Sequence, residues 1–196
     1  MDVIGIAWRP LVLGLAAAFV FSGHVFGQAL SVADRIAQCN GCHGADGNSP
    51  LPNTPSLAGQ PAFFVLNQLY LMREGVRRIE AMAPFVKDLK DGEIDALSKH
   101  YAKLVPKPSN EAVDPALVKR GGELAVSLRC GSCHLPTLAG QDQMPRLARQ
   151  RIDYMIMSLK EFRDDKRSGA DTLMSNVVRG LSDADLAALA HYSASR

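Results

Sequence analysis

The sequence predicts an all-α protein built as two tandem domains with a short proline-rich linker between them. Three observations carry this. Apolar residues recur at helical spacing, as in Ile94, Leu97, Tyr101 and Leu104, and no segment shows the two-residue alternation of a strand. A shift of about 91 residues lays Cys39-Asn40-Gly41-Cys42-His43 on Cys130-Gly131-Ser132-Cys133-His134. Between the copies, Val105-Pro106-Lys107-Pro108-Ser109-Asn110-Glu111 has the composition of a connector.

The repeat continues beyond the cysteines. Pro55-Ser56-Leu57 falls on Pro145-Arg146-Leu147 and Gln60 on Gln150. Leu69, Arg73 and Arg77 fall on Leu159, Arg163 and Arg167. Leu89, Asp91, Ile94 and Leu97 fall on Leu181, Asp183, Leu186 and Leu189. These matches divide the chain into a first domain at 28–105, a linker at 106–115 and a second domain at 116–196.

Residues 1–27 read as a secretory signal peptide: Arg9, an apolar run from Leu11 to Phe21, then small residues before the cut. An uncleaved membrane anchor is the competing reading, but Arg9 and His24 interrupt the apolar segment. Ser31 caps a helix ending in the first motif, with Ala33, Ile36 and Ala37 on one face. Pro61 opens the next, with Phe63, Leu66 and Tyr70 inward and Gly75 closing it. Asp114 and Pro115 start the counterpart of the first helix in the second copy. Ser182 and Asp185 form a capping box for the last, which turns Leu186 and Leu189 inward.

The repeated motif is C-x-x-C-H, the attachment sequence of c-type haem. Its two thiols form thioethers with the haem vinyl groups, and its histidine supplies an axial nitrogen to iron. The motifs consume all four cysteines, Cys39, Cys42, Cys130 and Cys133, with His43 and His134 as the axial histidines. Zinc ribbons pair their knuckles at ~15–20 residues, far closer than these two lie. Disulfides would leave a histidine after each pair unexplained. Two covalently attached haem c groups are therefore expected, each also acting as a staple for a small core.

A second axial ligand is needed, and thioether sulfur suits an electron carrier because it favours ferrous iron. The ordinary role of a methionine is to fill core. The repeat separates the two uses: Met72 faces Phe162, Met144 faces Thr54, Met155 faces Val65 and Met157 faces Asn67. Only Met82 and Met174 match each other. They are the candidate distal ligands. His100 and His191 read as surface or half-buried helix histidines, and the repeated pairs Arg73/Arg163 and Arg77/Arg167 as solvated helix faces or partners for haem propionates.

The stretch from Cys39 to Asn53, followed by Pro55-Ser56-Leu57-Ala58-Gly59-Gln60, resembles dihaem cytochromes c of the c4 type. So does the ending Met174…Leu181-Ser182-Asp183-Ala184-Asp185-Leu186, and the likeness covers essentially all of the chain after residue 27. The resemblance implies two tandem class I cytochrome c domains with His/Met iron, and a periplasmic electron carrier rather than an enzyme. It also implies that Pro55 and Pro145 each present a carbonyl to the axial histidine's other ring nitrogen. Redox partners would be a terminal oxidase, a quinol-oxidising complex or a periplasmic dehydrogenase. Membrane association would come through such a partner or through an uncleaved N-terminus. One departure is visible: Leu135-Pro136-Thr137 stands where the family usually keeps a glycine-containing turn.

Charge singles out no partner. The chain has 22 basic and 20 acidic residues, and four ionised propionates would shift the balance by about −4. Nucleic-acid binding has no support. The alternatives to a free carrier are a dihaem enzyme of the peroxidase or thiosulfate-oxidising type, which needs an open iron, and a fixed subunit of a dehydrogenase or oxidase complex.

Overall fold

The computed structural model describes residues 1–2, 30–169 and 172–196; the expected signal peptide lies outside the described residues. Among the described residues, four helices make the first half: α1 (Val32–His43), α2 (Ala62–Arg73), α3 (Ala83–Val86) and α4 (Asp91–Ala102). Five make the second: α5 (Pro115–Ser127), α6 (Gly131–His134), α7 (Ile152–Arg163), α8 (Thr172–Val178) and α9 (Asp183–Ala194). Among the described residues the one β feature is an isolated bridge between Gln141 and Met144, and no helix is long and apolar enough to cross a membrane.

The caps lie where the sequence puts them. Ser31 accepts from the Asp34 amide in a complete capping box, Asp114 accepts from Ala116 and Leu117, and Ser182 accepts from Asp185. Each satisfies amides that a helix start leaves unbonded.

Each half has its own core. Val65, Leu69, Val86, Leu89, Ile94, Leu97 and Tyr101 fill the first. Met155, Leu159, Val178, Leu186, Leu189 and Ala190 sit in the second. Two expected faces need correction. On α2 the buried stripe is Val65 and Leu69, one turn apart; Leu66 and Tyr70 flank it, and Phe63 is exposed. On α1 it is Ile36 and Cys39 that pack on the core, at i and i+3, while Ala33 and Ala37 face outward.

Arg73 and Arg163 do the same task in the two halves. Arg73 reaches from the end of α2 to Asp91 at 2.7 Å and the Leu89 carbonyl at 2.9 Å. Arg163 reaches from the end of α7 to Asp183 at 2.6 Å and the Leu181 carbonyl at 3.2 Å. Each clamps one helix end to the start of the final helix.

The helix entering the second motif is broken, unlike α1. Arg129 adopts φ +57 and the Cys130 amide bonds back to Ala125, a left-handed C-terminal cap that stops α5 before the cysteines. Beyond the motif, Leu135 takes φ +67, ψ 154 where Gly44 takes φ +85, ψ 145, so the turn keeps a glycine conformation without the glycine. At the crossing of α5 and α9, a Cβ on Gly121 would lie 2.0 Å from the Ala188 carbonyl oxygen, so the absent side chain lets the helices touch.

The linker is bonded along its length. Lys107 bonds Asn48 through its amide and Asp46 through its ammonium, at 2.8 and 2.6 Å. Glu111 accepts from the amides of Ile152 and Asp153 at 2.8 and 2.9 Å and so caps α7 from outside. The seam between the halves is polar and buried. Gln60 donates to the Arg146 carbonyl and accepts from its amide, both at 3.0 Å. Gln150 does the same for Ser56, at 3.0 and 2.8 Å.

Candidate haem sites

Each C-x-x-C-H motif closes a helix so that its residues face different ways. Cys39 is half-buried on the first core, Cys42 is exposed, and His43 is buried. Cys130, Cys133 and His134 repeat this on the second core. The four thiols are unpaired, and among the described residues no group of three or more His, Cys, Asp or Glu is arranged for a metal ion. Thiols that diverge from their histidine suit attachment at two points of a flat macrocycle better than a tetrahedral zinc shell.

The histidines are held from behind. His43 Nδ1 donates to the Pro55 carbonyl at 2.9 Å, and His134 Nδ1 donates to the Pro145 carbonyl at 2.9 Å. A carbonyl only accepts, so Nδ1 carries the proton and Nε2 keeps its lone pair for a metal. Burial pushes both imidazole pKa values down, against the pull of the proline carbonyls, so both rings are neutral at pH 7. Burial also pushes the Cys39 and Cys130 thiols up.

Around the first motif, the Tyr101 hydroxyl donates to Asn40 at 3.0 Å and ties it to α4. Ser49 donates to the Cys42 carbonyl at 2.9 Å, and its amide donates to the Ser56 hydroxyl at 3.1 Å. Met82 precedes α3 and packs half-buried on the core that holds Cys39; Met174, in α8, packs on the core that holds Cys130. Met72 and its repeat partner Phe162 line the same two cores, and Met155 is buried as filler.

Arg73 and Arg163 are bonded to carboxylates at the helix ends, and the other repeated pair, Arg77 and Arg167, is held differently. Arg77 is buried against Gln68 at 2.5 Å, and Arg167 bonds Ser158 at 3.0 Å and Glu161 at 3.1 Å. Both guanidiniums meet the Tyr154 hydroxyl; burial opposes its ionisation, but the two cations hold its pKa below the usual tyrosine range. Burial likewise lowers Arg77. Arg167 bonds the Glu161 carboxylate, whose charge also acts on Arg77, so the two guanidiniums, Tyr154 and Glu161 form one cluster between the halves.

The other two histidines have local roles. His191 Nδ1 accepts from the Asp114 amide at 3.0 Å, and His100 packs edge-on against Tyr101 with its Nε2 buried and unbonded. The sequence reading missed what Gln60 and Gln150 do. Their identity across the repeat was the available signal, but a repeat does not tell which half a side chain reaches into.

Residues 118–195 match the cytochrome c family model, and residues 29–100 match that of cytochrome c oxidase, cbb3-type, subunit III. The chain is 33% identical to cytochrome c4 of Pseudomonas aeruginosa over 193 residues, covering 93% of each protein. It is 30% identical to a thiosulfate dehydrogenase electron acceptor of Thiomonas intermedia, covering 82% of this chain and 79% of that one. The crystal structure of reduced recombinant cytochrome c4 from Pseudomonas stutzeri superposes with a TM-score of 0.73 at 30% identity, over 84% of this chain and 98% of that one. Two helical cytochrome c domains, each with a C-x-x-C-H motif and a buried histidine braced by a proline carbonyl, place this chain in the cytochrome c4 family, as a dihaem electron carrier with two covalently bound haem c groups.

Proposed function

We propose that His43 and Met82 ligate one haem iron and His134 and Met174 the other, in an exported carrier that moves electrons between respiratory partners. The observation that carries this is the matched pair of buried histidines, each fixed through Nδ1 on a proline carbonyl, with the one repeat-matched methionine on the same core. When bound, each haem supplies a one-electron couple. The protein's part is to attach it through Cys39 and Cys42 or Cys130 and Cys133, to orient the axial ring, and to offer Arg77 and Arg167 to its carboxylates. Apolar cores of Ile94 and Leu97 or Leu186 and Leu189 exclude water, which limits reorganisation when charge changes.

The resemblance favours a periplasmic location, a cleaved segment at 1–27, and domains at 28–105 and 116–196 around the linker. A terminal oxidase is the proposed acceptor. The electron acceptor from Thiomonas intermedia favours a dehydrogenase, of the thiosulfate-oxidising kind, as one donor.

The test is spectroscopic. Oxidised protein should show the far-red sulfur-to-iron band at an intensity for two haems, and Met82→Ala should remove about half, because distant sites act nearly independently. Rapid carbon monoxide binding by the unaltered protein at one haem would mean an open iron and overturn the ligand assignment.

A further inference from the structure

We propose that Gln60 and Gln150 are positioning residues that act across the seam: each sets the axial histidine of the opposite half, and so that haem's reduction potential. The inference rests on His43 and His134 being iron ligands.

One peptide group links each pair. The Pro55–Ser56 peptide accepts from His43 Nδ1 through its carbonyl at 2.9 Å and donates through its N–H to Gln150 Oε1 at 2.8 Å. The Pro145–Arg146 peptide accepts from His134 Nδ1 at 2.9 Å and donates to Gln60 Oε1 at 3.0 Å. Each glutamine nitrogen closes the ring by donating to the carbonyl of Ser56 or Arg146 at 3.0 Å. Gln60, Gln150, Ser56 and Arg146 are all 2–3% exposed, so water does not compete for these groups. The acceptor and donor ends of each carboxamide face an N–H and a carbonyl, which fixes their orientation.

Hydrogen bonds in series strengthen one another where water is excluded. An N–H held by the glutamine oxygen pushes electron density onto the carbonyl of the same peptide. That carbonyl then pulls harder on the Nδ1 proton, and a more anionic imidazole is a stronger donor to iron. A stronger donor favours ferric iron. Gln150 therefore lowers the potential of the haem on Cys39 and Cys42, and Gln60 that of the haem on Cys130 and Cys133.

The test uses the haem-loaded full chain with Gln150→Leu and Gln60→Leu. Proton NMR of the ferrous protein reads each histidine's Nδ1 proton, and following those signals through a redox titration assigns each potential. Gln150→Leu should move the His43 proton upfield and shift that haem's reduction equilibrium about threefold toward ferrous, about 28 mV at 59 mV per decade. His134 and its haem should stay unchanged, and Gln60→Leu should give the mirror result. Gln150→Glu keeps an acceptor for the Ser56 amide and should show no upfield shift of the His43 proton, which guards against a seam that fails to form with leucine. Equal shifts at both histidines, a shift only in the half that carries the substitution, or no shift would overturn the bridge. Unaltered protein lacking two histidine-ligated signals would overturn the ligand assignment and the bridge with it; with both signals present, the variants judge the bridge alone.

Discussion

Leu135 holds the backbone conformation that Gly44 holds in the other half, φ +67, ψ 154 against φ +85, ψ 145. The pattern recurs: Gly47, Gly59 and Gly75 have φ of +74, +65 and +69, and their repeat partners Leu138, Arg149 and Asp165 have +57, +57 and +53. One backbone template serves both halves, and the second carries side chains where left-handed geometry disfavours them. Gly44→Ala should cost about 3 kcal/mol, since its Cβ would lie 2.2 Å from the Asn48 carbonyl oxygen. Leu135→Gly should stabilise by about 1 kcal/mol. Denaturant titration of each variant measures both.

Glu111 supplies from the linker what α7 lacks at its own start. Arg151, the residue before the helix, makes no side-chain cap. Glu111→Ala should therefore lower stability by about 1–2 kcal/mol, the cost of a lost cap. Hydrogen exchange should quicken first at the amides of Ile152 and Asp153, and Glu111→Gln should recover part of the loss.

Asp185 gives a pH signature. Bonds from the Ser182 hydroxyl and Arg120 hold its pKa down at about 2. A carboxylate depressed on folding adds stability that is complete above its unfolded pKa of about 3.9 and lost as pH falls through about 2. Asp185→Asn should be less stable than the unaltered protein by about 1 kcal/mol at pH 7. The gap should narrow below about pH 4 and close near 2, as followed by urea unfolding at stepped pH.

Local chemistry explains what the sequence disclosed. Ser31, Asp114 and Ser182 announced helix starts because a cap is a contact between neighbours. The haem motifs were legible because attachment fixes their spacing. Phe63 misled because α2 offers apolar residues nearly all round, so periodicity alone did not choose Val65 and Leu69 over it. The break at Arg129 had no local sign, since an arginine seldom adopts a left-handed conformation. Arg73 and Arg163 showed as a repeat, but their partners Asp91 and Asp183 become neighbours only when the helices pack.

The two carboxamides at the seam grip main chain alone, so their bonds do not depend on which side chain stands at 56 or 146. Ser56 turns its hydroxyl to its own half, toward the Ser49 amide. Arg146 crosses over and donates to the Ala58 carbonyl at 3.0 Å, also reaching the Ala148 carbonyl of its own half. The carboxamide bonds accept either side chain, while Arg146 adds a bond across the join that a serine does not supply. The twin halves thus differ in charge and reach one residue after each bracing proline, while the main-chain bonds of the join stay the same.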